Sequence, residues 1–268
     1  HEMTKGKLKI IISSSRSALA KPHKELRGRA VHFDFYPLSF GEFLEFKNAK
    51  TENTVSGLGQ TEKNLEEYIT YGGFPEVILT ENETDKVRII NEYFKDIIGL
   101  DIADIAGVGV EGVELFGKYV IDSTYFSASK CLNFYKTLGY KIGKETILSL
   151  ENHSEESYLF FFLPIFSHSI KDQSQYSRKC YLGDTGFGYS IIGKKDYGKL
   201  YENSVFLELK RRVGINQSIA YWKSVDGYEI DFIIKEGLKV KQIIQVCYEF
   251  NDEKTREREV RAILKAAK

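Results

Sequence analysis

The stretch from Tyr201 to Glu249 constrains the chain more than any other. Glu202-Asn203-Ser204-Val205-Phe206-Leu207-Glu208 reads as the start of a helix whose apolar side carries Leu200, Val205, Leu207 and Leu209. Tyr228 to Ile234 reads as a strand, with Tyr228, Ile230 and Phe232 facing one way and Glu229, Asp231 and Ile233 the other. Ile243 to Val246 is a short apolar run of the kind a central strand needs. A helix bearing Glu202 and Glu208, followed by strands bearing Asp231 and Gln245, gathers oxygen ligands at one sheet edge. Such hard ligands suit Mg²⁺ or Mn²⁺.

These residues resemble the C-terminal domain of a large prokaryotic family of predicted AAA-type ATPases, a domain with a restriction-endonuclease-like core. The resemblance is carried by Glu202-Asn203, Val205 and Glu208-Leu209, by Gly227-Tyr228-Glu229-Ile230-Asp231-Phe232, and by Gln245-Val246. It implies catalytic positions at Glu202 or Glu208, Asp231 and Gln245, with Asp231 and Glu202 as metal ligands for Mg²⁺ or Mn²⁺. The lysine expected two residues after Gln245 is replaced by Cys247. A thiol supplies no fixed positive charge to position water or stabilise a transition state. A degenerate site is therefore expected ahead of an active nuclease using a displaced lysine such as Lys239 or Lys241. Acids that simply solvate a sheet edge are the plainer alternative.

The N-terminal part extends the same resemblance. Leu8 to Ser15 reads as a strand ending in small hydroxyl residues, Val31 to Tyr36 as a second strand, and Ser39 with Glu42 as a capping box opening a helix. In the family this forms the second half of the nucleotide-binding core. The resemblance implies that Ser13 and Ser14 sense nucleotide and that Arg29 supplies a charge to a neighbouring nucleotide. No Gly-x-x-x-x-Gly-Lys-[Ser/Thr] loop occurs in the 268 residues. Without its backbone cage and hydroxyl, phosphate and Mg²⁺ have no holder. The chain is expected to be the C-terminal part of a longer ATPase: it hydrolyses no ATP and takes no cofactor alone, while the parent uses ATP and Mg²⁺.

Between these ends, Leu65 to Tyr71 reads as a helix stopped by Gly72-Gly73 and Pro75, the family's helical lid. From Lys86 to Ile105, Val87, Ile90, Tyr93, Phe94, Ile97, Ile98, Ile102 and Ile105 form a stripe to be buried, with Asp96, Asp101 and Asp104 toward a solvated face. Helices at Val120–Tyr125, Lys130–Leu138 and Lys144–Asn152, then strands at Tyr158–Phe166 and Arg178–Leu182, give a winged-helix pattern. Lys141, Lys144, Lys171, Arg178 and Lys179 are its candidate phosphate contacts, opposed by Glu145, Glu151, Glu155 and Glu156. DNA binding and protein docking therefore stay level here. Asp184-Thr185-Gly186 reads as a turn, and Asp252 to Lys268 as a charged helix over the sheet.

The expected fold is mixed α/β. It comprises a partial AAA-type core at 1–60, a helical lid at 61–115, a winged-helix-like domain at 116–182 and a nuclease-like α/β domain at 183–268. Equal numbers of basic and acidic residues, 38 each, leave the choice of partner to local patches. DNA, a further copy of the ATPase and another protein all remain candidates. Three widely spaced cysteines predict neither a zinc site nor a disulfide framework, and point to a reducing, cytoplasmic setting. The apolar run Tyr158–Phe166 is well short of the roughly 20 residues that span a bilayer.

Overall fold

A computed structural model describes residues 11–15, 31, 33–50, 52–167, 169–237, 239–249 and 252–267. It is a mixed α/β structure with two small antiparallel sheets. The N-terminal half is helical: α1 (Phe40–Phe46), α2 (Val55–Tyr71), α3 (Pro75–Leu79) and α4 (Glu83–Asp96). The expected capping box is formed, since Ser39 Oγ accepts the Glu42 N–H while the Glu42 carboxylate accepts the Ser39 N–H. A π-helical stretch, Ile97–Ala103, follows α4 and leads through the single turn α5 (Asp104–Ala106) to α6 (Val110–Asp122).

The chain then alternates: β1 (Tyr125–Phe126), α7 (Ala128–Thr137), α8 (Lys144–Glu156), β2 (Phe160–Leu163), α9 (Ile170–Gln175), β3 (Arg178–Leu182) and α10 (Gly186–Ile192). The last part is α11 (Tyr197–Arg212), β4 (Gln217–Lys223), β5 (Glu229–Glu236), β6 (Lys239–Ile244) and α12 (Glu253–Ala266), which Asp252 caps. No helix among the described residues is long and apolar enough to cross a membrane.

The first sheet has the order β1-β3-β2, pairing Tyr125 with Lys179 and Leu163 with Lys179 on either side of β3. Its strands have a period of two, so each presents two faces. Phe160, Phe162, Cys180 and Leu182 face a helical core that also contains Ile90, Phe94, Phe116, Tyr135 and Leu150. Phe161, Leu163 and Tyr181 face the other way, into a core with Phe206 of α11 and Phe232 of β5. The second sheet has the order β4-β5-β6. Beyond β2, the Tyr221 N–H donates to Pro164 O at 3.1 Å, and Ile165 bridges Tyr221 in parallel. That bridge sets β4-β5-β6 alongside the outward face of the first sheet.

Several expectations need correcting. Ile11 to Ser15, and the described positions within 31–36, form no strand; Ile11 is 85% and Phe35 89% exposed. A strand needs a neighbour for its N–H and C=O groups, and the described residues pair none with them. Ile243 and Ile244 belong to an edge strand, not a central one, because β5 takes the middle of the sheet. The sequence reading has no counterpart for β4. Ile105 leaves the buried stripe, at 40% exposure, because the π-helical stretch shifts the phase of the α-helical repeat.

Candidate functional site

Lys179 on β3 is where the elements converge. Alternation puts its side chain on the same face as Tyr181, toward α11 and β5. Helix α11 docks on β3 through Asn203, whose Oδ1 accepts the Leu182 N–H at 2.7 Å and whose amide donates to Leu182 O at 3.0 Å. This double bond sets the register of the helix and carries Glu202 to the sheet. On β5, Glu229 and Asp231 both reach Lys179, while a register shift against β4 breaks the expected alternation: Phe232 packs with Tyr181 and Phe206, and Ile230 packs with Ile233 and Ala262.

The Lys179 ammonium therefore meets three carboxylates. It lies 2.9 Å from Glu202 Oε1, 2.8 Å from Asp231 Oδ1 and 2.8 Å from Glu229 Oε1. The side chains of Lys179 and Asp231 are 3% and 8% exposed, so this cluster is internal. Asp231 is anchored on its other side, where Oδ2 accepts the Val246 N–H at 2.9 Å. Tyr181 donates its hydroxyl to Glu202 Oε1 at 2.6 Å, and Lys223 lies 3.3 Å from Glu229 Oε2.

The titration behaviour follows from this geometry. Burial disfavours the Lys179 ammonium, but Glu202, Asp231 and Glu229 outweigh it and hold the group well above the ordinary lysine range. Burial raises the Glu202 carboxyl; Lys179 counters it, and the Asp231 charge adds to the rise. At Glu229 burial is overcome by Lys179, and the carboxyl sits below its usual range. Tyr181 is pushed well above the usual phenol range by burial and then by Glu202, so it remains a donor.

Not every residue read from the sequence reaches this centre. Gln245 stands one layer behind, its Oε1 accepting the Asp231 N–H at 3.2 Å and its amide donating to Glu259 Oε2 at 2.7 Å. Glu208 is elsewhere, bound by Arg212 at 2.5 Å and Arg211 at 3.6 Å. Six helical residues correspond to roughly 240° of rotation, so Glu202 and Glu208 cannot face the same point. Cys247 is past the end of β6, and its Sγ donates to Glu249 O at 3.2 Å.

The basic set is divided as well. Lys179 is internal, and Arg178, on the opposite face of β3, pairs with buried Glu151 of α8. Lys141, Lys144 and Lys171 are exposed. Ser13 and Ser14 are exposed, and Arg29 lies outside the described residues. Glu229 is the participant the sequence reading passes over. The signal for it was its two-residue spacing from Asp231 on an alternating strand.

A divalent cation is the group that the resemblance to a nuclease-like domain implies here. The side chains do not fit one as they stand, because an ammonium already occupies the space between the carboxylates. Among the described residues, no group of three or more His, Cys, Asp or Glu is placed to hold a metal ion.

Comparison with known proteins locates this site at a boundary. Residues 62–197 match the family described as Domain of unknown function (DUF8612). The chain belongs to that family. Residues 197–268 match a second one, Domain of unknown function (DUF4143), a domain typically found at the C-terminus of AAA-ATPase-like proteins. Lys179 and Tyr181 thus come from the DUF8612 segment, and Glu202, Glu229 and Asp231 from the DUF4143 segment.

An uncharacterized protein of Methanocaldococcus jannaschii is 35% identical over 266 residues, 97% of this chain and 59% of that protein. An uncharacterized protein of Haemophilus influenzae is 31% identical over 250 residues, 90% of this chain and again 59% of that protein. The chain therefore spans about three-fifths of the length of these relatives. No solved structure matches it.

Proposed function

We propose that this chain is a non-catalytic docking portion of an AAA-ATPase-like protein, in which a winged-helix segment and a nuclease-like α/β domain form a module that engages a partner protein. One observation carries the reading. The Lys179 ammonium stands within 2.9 Å of Glu202, Glu229 and Asp231, so the acids that would hold a catalytic cation are already paired. Buried, mutually satisfied ion pairs fix a geometry; catalysis at a phosphodiester needs ligands open to metal and substrate.

The winged-helix assignment is supported by the order α6, β1, α7, α8, β2, β3 and by the strand order β1-β3-β2. A protein partner is favoured over DNA because Arg178 and Lys179, two of the five expected phosphate contacts, are engaged internally by Glu151 and by the acidic centre. ATP and Mg²⁺ belong, in this reading, to the longer parent. Ser13 and Ser14 would feel its nucleotide, and Arg29 would reach a neighbouring copy.

The test is calorimetric titration of Mn²⁺ into the wild-type chain and Asp231→Ala, with a plasmid-nicking assay on both and anisotropy on a labelled duplex. The expected result is no saturable Mn²⁺ binding, no nicking, and only weak, salt-sensitive duplex binding. Saturable binding and nicking that both vanish in Asp231→Ala would establish a nuclease instead. Tight duplex binding lost on Lys141→Glu with Lys144→Glu would move the partner to nucleic acid.

A further inference from the structure

We propose that Lys179 is a tethered cation: the DUF8612 segment inserts its ammonium into the cation position of the DUF4143 carboxylate set, and its removal opens a divalent-metal site there. The inference rests on the non-catalytic reading above and deepens it, since it says what closes the site and where the closing charge comes from.

Three features of the geometry carry it. First, the ammonium has one carboxylate oxygen from each of Glu202, Glu229 and Asp231 at 2.8 to 2.9 Å, and these come from a helix that begins at Tyr197 and a strand further on. The acids thus all belong to the C-terminal segment, with Glu202 held in place by the Asn203 bonds to Leu182, while the cation arrives from β3. Second, two ammoniums, Lys179 and the more exposed Lys223 beside Glu229 Oε2, face three carboxylates, so the set keeps one negative charge more than the lysines cancel. A divalent ion would neutralise it further. Third, the exposure of the ligands is graded. Asp231 is fixed by the Val246 N–H, whereas the Glu202 and Glu229 side chains are 24% and 25% exposed.

Distance explains why the lysine form takes no ion. Oxygens arranged around an ammonium at 2.8 to 2.9 Å must draw in by about 0.7 Å to reach the 2.0 to 2.2 Å typical of Mg²⁺ or Mn²⁺. They cannot do so around a nitrogen already there. With the side chain shortened to alanine, the two partly exposed glutamates can close on an ion held by Asp231. Water fills the remaining positions, as small divalent ions prefer. Tyr181, which donates to Glu202 at 2.6 Å, limits how far that carboxylate can turn away.

The experiment uses wild type, Lys179→Ala and the double variant Lys179→Ala/Asp231→Asn. Far-UV circular dichroism checks the fold, calorimetry measures Mn²⁺, and thermal melting is followed with and without Mn²⁺. Wild type should show no saturable binding and no Mn²⁺-dependent rise in Tm. Lys179→Ala should bind one Mn²⁺ at least tenfold more tightly than wild type, with a rise in Tm, and the double variant should lose both. If Lys179→Ala does not fold in buffer, Mn²⁺ or ethylammonium should restore its circular dichroism, each supplying the missing cation. A folded Lys179→Ala that takes no Mn²⁺, or an unfolded one that neither cation restores, overturns the inference. Saturable Mn²⁺ binding by the wild type would also overturn the inference, and only nicking by the wild type would in addition overturn the non-catalytic reading, so nicking tells the two failures apart.

Discussion

The Asp184 carboxylate accepts the Gly73 N–H at 2.8 Å, joining two turns 111 residues apart. Its other oxygen accepts the Gly186 N–H at 2.8 Å, and the neighbouring Thr185 hydroxyl donates to Tyr68 O at 3.1 Å. The end of α2 and the start of α10 are thereby clasped, and the glycines of both turns acquire a physical reason. Gly72 has φ +81°, and a Cβ there would lie 1.6 Å from Asp184 Oδ1. A Cβ on Gly186 would lie 2.5 Å from Tyr71 O.

Gly72→Ala is accordingly expected to destabilise the fold strongly, since backbone strain and a clash with a buried carboxylate act together. Asp184→Asn keeps the volume but turns an amide toward one of two N–H donors, which should cost about 1–3 kcal/mol for the group left unpaired. Urea denaturation of both variants measures this. Wild-type midpoints would show that the clasp contributes nothing to stability.

Tyr181→Phe tests the acidic centre without touching its charges. The variant removes the hydroxyl that donates to Glu202 and leaves a partly buried carboxylate short of one donor. A loss of about 1–3 kcal/mol is expected. The loss should shrink at low pH, where a protonated Glu202 no longer needs the bond. A pH series of urea midpoints for wild type and variant checks both points.

Phe232 is fully buried and packs against the rings of Tyr181 and Phe206, which stack on each other at 4.2 Å. Phe232→Ala should cost about 3–5 kcal/mol, the usual range for emptying an aromatic site in a core. Because Asp231 precedes it on β5, chemical shifts at Lys179 should move in the variant; unchanged shifts would argue that the centre does not depend on this packing.

Glu151 gives a pH dependence with a definite sign. Burial pushes its carboxyl from an ordinary 4.5 up to about 7, Arg178 opposes the rise and Glu155 adds to it. Cys131 is the further titratable neighbour coupled to it. A raised folded-state value means the folded protein holds a proton the unfolded chain has released. The stabilisation is complete below about 4.5 and is lost as pH rises through about 7. Glu151→Gln should flatten that part of the curve, so its Tm relative to wild type should climb between pH 5 and 8. A constant difference between the two curves would rule Glu151 out as the titrating group.

Much of the local structure could be read from residue order. The Ser39 and Glu42 capping box, the stop at Gly72-Gly73, the helices at 128–137 and 144–156, and the strand through Asp231 all depend on contacts a few residues apart. Periodicity and capping report such contacts directly. The same local rule put Glu229 and Asp231 on one side of their strand, but Glu208 was read together with Glu202, which the rotation of α11 keeps apart. Cys247, read in place of the expected lysine two residues after Gln245, lies past the end of β6. What the sequence could not reveal was that the cation comes from Lys179, 52 residues before Asp231. Taken alone, Lys179 and Arg178 are adjacent basic residues on a strand and look alike. Pleating sends them to opposite faces, one to Glu151 and the other to the acidic centre, and only the packing of β3 between the helical core and α11 decides which. Sequence by itself determined the capped helices, the glycine stop and the strand through Asp231, because these are properties of neighbouring residues. Tertiary structure alone decided the partners of Lys179 and Asp184, because burial makes each charge take whatever partner the fold brings within reach.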